Sequence, residues 1–135
     1  VNSIFKIGDT KTFIHKVEAK NTATFESGEV HPVYATFAIA RDAEWCSRLF
    51  VLEMKDETEE GIGTFVEIKH HAPAFIGEEV MFEATVDELS HNTINCSIKA
   101  SVGKRIVATG RTGQKVLLKT KLEQHFEAVR NLKTL

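Results

Sequence analysis

Apolar positions recur along this chain with two different periods, and the change falls near residue 55. Between Val33 and about Met54 no glycine or proline interrupts the run. At about 100° per residue, Cys46, Ile39, Phe50, Ala43, Thr36, Ser47, Ala40, Val51, Glu44 and Phe37 share one broad face, and Leu52, Trp45, Ala38 and Leu49 lie roughly opposite. Charge is confined to two narrow strips, Arg41 with Arg48 and Asp42 with Glu53. A helix apolar on most sides is buried on most sides, so the pattern predicts a central helix over about 33–54. His31-Pro32 marks its entry, because the residue before proline avoids the helical region and proline suits a first helical turn.

Beyond a charged stretch from Lys55 to Glu60 the period becomes 2. Thr64, Val66, Ile68 and His70 alternate with Phe65, Glu67, Lys69 and His71. Alternation predicts strands over about 10–20, 62–72, 78–89, 92–102 and 105–118. Turn signals stand at Pro73 with Gly77, at Ser90 to Asn92 and at Gly103. Asn21 to Val30 reads as loop or irregular strand, Gly110 and Gly113 suggest a bulge, and Lys119 to Leu135 reads as a short amphipathic helix. The order is strand, long buried helix, then a four-stranded meander paired antiparallel through short turns. An antiparallel curved sheet wrapped around one long buried helix is an α+β arrangement of the hotdog type. Residues 1–135 are expected to form a single domain.

Composition narrows the function classes. With 42% hydrophobic and 27% charged residues the chain has a globular balance. The net charge of -2 and the scatter of its 17 basic residues argue against nucleic acid or an anionic membrane as partner. No apolar run approaches a membrane span. Cys46 and Cys96 lie far apart, form no CxxC pair and sit in apolar patterns. Reduced, buried thiols and a cytoplasmic protein are the expectation. His70 and His71 face opposite ways on a strand, and His15, His31, His91 and His125 show no ligand spacing. No metal and no cofactor are therefore expected. Gly61-Ile62-Gly63 is too short for a phosphate loop and opens a strand.

Three polar residues occupy positions where the pattern calls for apolar ones. Thr36 and Glu44 are eight residues apart on one helix face, about 80° from each other. His70 takes the inward parity of its strand. A hydroxyl, a carboxylate and an imidazole in one apolar layer suit hydrolysis, because the latter two can activate a nucleophile. Each also has a structural alternative. Glu44 can pair with Arg48 at i+4. His70 can be a core histidine bonded to a backbone carbonyl. Thr36 can satisfy a backbone group in the first turn.

The segment Val33-Tyr34-Ala35-Thr36-Phe37, the Glu44-Trp45 pair, and Gly63-Thr64 followed by Lys69-His70 together resemble the fluoroacetyl-CoA thioesterase family of single-domain hotdog thioesterases. The resemblance runs from about Pro32 to Leu118, and the intervals of 8 and 26 residues from threonine to glutamate to histidine match without a gap. It implies Thr36, Glu44 and His70 as catalytic and Gly63 as a backbone contact near the thioester carbonyl. It also implies a homodimer, with pairing of two dimers left open. The family's Gly-x-His-x-Arg run is replaced here by Gly110-Arg111-Thr112-Gly113-Gln114, and Ser27, Val30 and His31 stand where aromatic lid residues are usual. A short or medium acyl-CoA is thus expected in preference to fluoroacetyl-CoA. Lys104, Arg105 and Arg111 are candidate contacts for CoA phosphates, or else charges that protect a strand edge. The rival functions are a non-catalytic acyl-CoA or acyl-carrier binding module of the same fold and, ranked last, a hydratase.

Overall fold

The computed structural model describes residues 1–2, 4–25 and 28–132, and the backbone alone at residues 29 and 30. Ser27, the side chain of Val30 and the last three residues of the expected C-terminal helix lie outside the described residues. The elements are β1 (Thr10–Lys16), a 3-10 turn (Ala19–Asn21), β2 (Thr22–Phe25), β3 (Gly28–Tyr34), α1 (Thr36–Met54), β4 (Glu59–His70), β5 (Glu79–Leu89), β6 (Thr93–Val102), β7 (Arg105–Leu118) and α2 (Lys119–Arg130). Five strands form one antiparallel sheet in the order β1-β5-β6-β7-β4, and β2 pairs with β3 in a separate hairpin. The sheet lays one face on α1, which is the hotdog arrangement the pattern predicts.

The expected helix start and the expected meander are both corrected. The helix begins at Thr36, because His31 to Tyr34 continue as strand β3. Pro32 sits in a two-stranded hairpin, where the missing N–H is tolerated. The meander is also broken, since β4 pairs with β7 while β5 pairs with β1. The segment 71–78 therefore crosses the sheet instead of closing a hairpin. It is pinned on the way by buried Ala74 and by a bridge from Phe75 to Val33.

The core lies between α1 and the sheet. Ala38, Ile39, Ala43, Cys46, Phe50, Val51 and Met54 of the helix meet Val80, Phe82, Ala84, Val86, Ile94, Cys96, Ile98 and Val107 of the strands. Small residues at 38, 43, 46 and 47 let the helix axis approach the sheet closely. The helix is not buried on most sides, however. Phe37 (53% exposed), Trp45 (42%) and Leu52 (42%) leave an apolar stripe open along one flank. That stripe runs beside β4, an edge strand whose outer side has no partner among the described residues.

Candidate active site

The site is built on the seam between α1 and β4. The two elements run in opposite directions, with Thr36 near His70 and Val51 near Gly61. Strict alternation along β4 would turn Gly63 away from the helix if His70 faces it. A bulge resolves this: Gly63 pairs with Gln114 and Phe65 with Gly113, leaving Thr64 as the extra residue. Gly61 and Gly63 before the bulge and Val66, Ile68 and His70 after it thus all face α1.

At one end of the seam, Thr36 Oγ1 lies 3.0 Å from His70 Nδ1. Thr36 is the first residue of α1 and its side chain is exposed. The opposite ring nitrogen, Nε2, is buried and has no hydrogen-bond partner among the described residues. If Nδ1 accepts the threonine proton, Nε2 carries the ring N–H; in the other tautomer Nε2 is a free acceptor. A buried ring nitrogen with nothing to bond is costly, which sets this imidazole apart from a satisfied core histidine. His70 also lines a surface groove with Val33, His71, Ala72 and Pro73.

At the other end, the half-buried Glu44 carboxylate lies directly over Gly63, where a Cβ would overlap Oε1. Only glycine permits that approach. The buried amide of Gln114, across from Gly63, donates to the Glu44 carbonyl oxygen at 3.3 Å. Thr112, two residues earlier, hydrogen-bonds Ser47. The strand positions that differ from the family's Gly-x-His-x-Arg run are therefore spent on gripping the helix.

Among the described residues, none of the three alternative pairings forms. Arg48 bonds Glu60 at 2.9 Å and the Gly61 carbonyl at 3.3 Å, not Glu44. His70 bonds a side chain and not a backbone carbonyl, and the Thr36 hydroxyl reaches that imidazole. Yet the structure does not unite the triad. Eight helical residues span about 12 Å along the axis, so Glu44 is out of hydrogen-bond reach of the Thr36–His70 pair of its own chain.

The basic candidates are mostly engaged. Arg105 forms a two-pronged pair with Glu78 (2.6 and 3.0 Å), and Arg111 one with Asp87 (3.1 and 3.0 Å). The hydrogen bonds from these guanidinium groups hold both carboxyls below the usual range. Lys104 is exposed at the β6–β7 turn. Burial pushes the Cys46 thiol up to about 11 and that of Cys96 up to about 12, so both are inert thiols. Among the described residues no group of three or more His, Cys, Asp or Glu could hold a metal ion, and no helix is long and apolar enough to cross a membrane.

One cluster escapes the sequence pattern. Asp42, 6% exposed, accepts a hydrogen bond from the fully buried Tyr34 hydroxyl. The His15 ring stacks on Tyr34 with centroids 5.5 Å apart. Its Nε2 lies 2.9 Å from Asn21 Oδ1 and 3.8 Å from Asp42 Oδ2. Grouping Asp42 with Glu53 as a solvent strip hides it. The signal was the inward parity of His15 on β1, beside Phe13.

This sheet order, with a single long helix against it, is that of a hotdog-fold protein of the thioesterase superfamily. Residues 17–120 match the family described as fluoroacetyl-CoA-specific thioesterase (FlK), and the chain belongs to that family. A hypothetical protein of Thermus thermophilus, a thioesterase superfamily member, is 32% identical with a TM-score of 0.89, the match covering 96% of each chain. A hot-dog-like protein from Thermanaerovibrio acidaminovorans is 24% identical over 96% of each chain, with a TM-score of 0.84. The fluoroacetyl-CoA thioesterase FlK itself is 19% identical, TM-score 0.82, with 96% of this chain and 98% of that one covered. Comparison with curated proteins gives no match.

Proposed function

We propose that the protein hydrolyses an acyl-CoA thioester to the free acid and CoA, at a site shared between two copies of the chain. The observation that carries this is the Thr36–His70 contact of 3.0 Å beside a buried ring nitrogen that has no partner among the described residues. In this reading Glu44 activates the nucleophile, which is water or the Thr36 hydroxyl. Attack on the thioester carbon forms the new C–O bond and then breaks C–S; where Thr36 attacks, water then cleaves the acyl-threonine ester, releasing the acid and restoring the hydroxyl. His70 acts as general acid and base and returns a proton to the departing CoA thiolate. Gly63 supplies a backbone contact to the thioester carbonyl. The first turn of α1 has no side-chain cap, so its amides are open donors for the developing oxyanion.

The dimer supplies what one chain lacks. An antiparallel pairing of β4 with the partner's β4 about a two-fold near Val66 sets Gly63 and Glu44 beside His70 of the partner subunit. The same operation covers the free edge of β4 and the open stripe of Phe37, Trp45 and Leu52. Lys104 is the phosphate contact that needs no rearrangement. Arg105 and Arg111 bind phosphate only by sharing or releasing Glu78 and Asp87. The acyl group is short or medium in length.

Thiol release from acyl-CoAs ranging from acetyl to palmitoyl tests the reading, with Glu44→Ala and His70→Ala beside the wild type. Turnover that both folded variants lose is the expected result. Binding of acyl-CoA without thiol release by the wild type would overturn it in favour of a binding module.

A further inference from the structure

We propose that Tyr34, Asp42 and His15 are positioning residues that set Thr36 against His70; this rests on the reading of that pair as the reacting one. The network lies behind the first turns of α1, away from the open flank. Tyr34 is two residues before Thr36, and its hydroxyl is fixed by Asp42. Its backbone N–H donates to the Ala74 carbonyl at 2.9 Å, tying the strand that precedes Thr36 to the segment that follows His70. The next amide, that of Ala35, donates to the Asn21 carbonyl at 2.8 Å. Asn21 is held in turn through Oδ1, which accepts from the Glu18 amide and faces His15 Nε2, both at 2.9 Å. The approach to Thr36 is thus clamped from α1, β1, the 3-10 turn and the segment beyond β4.

A carboxylate is an expensive way to fill position 42. Its helical neighbours Ala38, Ile39, Ala43 and Cys46 are buried and apolar, and a leucine there would need no desolvation. What Asp42 adds is direction. Burial and the Asp42 carboxylate raise the Tyr34 hydroxyl far above its ordinary pKa, so it stays a donor at every working pH. Arg41 Nε lies 3.3 Å from the other carboxylate oxygen and holds it from the solvent side. The tyrosine hydroxyl therefore has one acceptor and one orientation, and the chain leading to Thr36 inherits that orientation. Catalytic geometry depends on such fixing, because small misplacements of a reacting group cost large factors in rate.

The test compares Tyr34→Phe, Asp42→Leu and Asp42→Asn in the full chain. Tyr34→Phe and Asp42→Leu are expected to lower kcat for acyl-CoA hydrolysis about 10- to 100-fold, with KM changed less than about twofold. Asp42→Asn keeps an acceptor for the tyrosine hydroxyl and should restore most of kcat. The ring 15N shifts of His70, which report its contact with Thr36, should change in the first two variants and not in the third. Wild-type kcat in folded Tyr34→Phe and Asp42→Leu, or a loss that only follows the folded fraction in thermal melts, overturns the proposal. If the wild type releases no thiol, the proposed activity fails, and the His70 shifts alone decide whether the network positions the pair.

Discussion

The two polar clusters that flank the start of α1 differ in how completely they are satisfied. Behind the helix, Tyr34, Asp42, His15 and Asn21 close on one another, and the cluster is almost sealed from solvent. On the open flank, Thr36 and His70 touch once, and Nε2 has no partner among the described residues. A closed network stabilises and orients, because every group it buries has a partner. An open pair costs stability and keeps capacity for a substrate. Removing a member of the first should therefore show in folding and, through the geometry of Thr36, in a moderate loss of kcat, and removing a member of the second in a larger loss of turnover.

The sharpest way to break the comparison is to truncate the open side. His70→Ala and Glu44→Ala should each lower thiol release from a good acyl-CoA substrate by about 10²- to 10⁴-fold, and Thr36→Val should leave the thermal midpoint nearly unchanged because that side chain is exposed. Gly63→Ala follows. Its methyl group would displace the Glu44 carboxylate, and steady-state assays should show kcat reduced about 10- to 100-fold in a folded protein. On the closed side, Asp42→Ala strands the Tyr34 hydroxyl in the core. Urea unfolding should record a loss of about 1–3 kcal/mol.

The smallest effect belongs to the outer sheet face. Arg111 depresses the Asp87 pKa in the folded state, so the pair stabilises above the unfolded carboxylate pKa of about 3.9. That contribution is lost as pH falls through the lower folded value. Arg111→Gln should lower the thermal midpoint only slightly at neutral pH, because both groups are largely exposed and an exposed pair contributes little. The gap from wild type in thermal melts should close on acidification below about pH 4.

How much of this was legible along the chain depends on whether the physics is local. The helix and strands β4 to β7 follow from period alone, because each buries one face. The β2–β3 hairpin does not, since polar residues and Pro32 mask its alternation. Pro73 and Gly77 mark a change of direction but cannot say which strand the chain will join, so the crossing from β4 to β5 was invisible. Thr36 and His70 meet, in keeping with the inward parity of His70. Glu44 illustrates the limit of a helical wheel, which reports angle and suppresses the rise of about 12 Å between positions eight apart. Asp42 was hidden because a wheel places charge on a surface by default, whereas here the partners come from β1 and β3.

The separation of Glu44 from His70 in one chain makes the shared site the central claim, and mixing two inactive variants tests it. Glu44→Ala and His70→Ala proteins, co-expressed so that mixed dimers form, would carry one site with both defects and one with neither. Thiol release is expected to return to about a quarter of the wild-type rate, since half the dimers are mixed and half their sites intact. Rates that stay at the level of the parent variants, with mixed dimers demonstrated by mass, would contradict a site built from two chains.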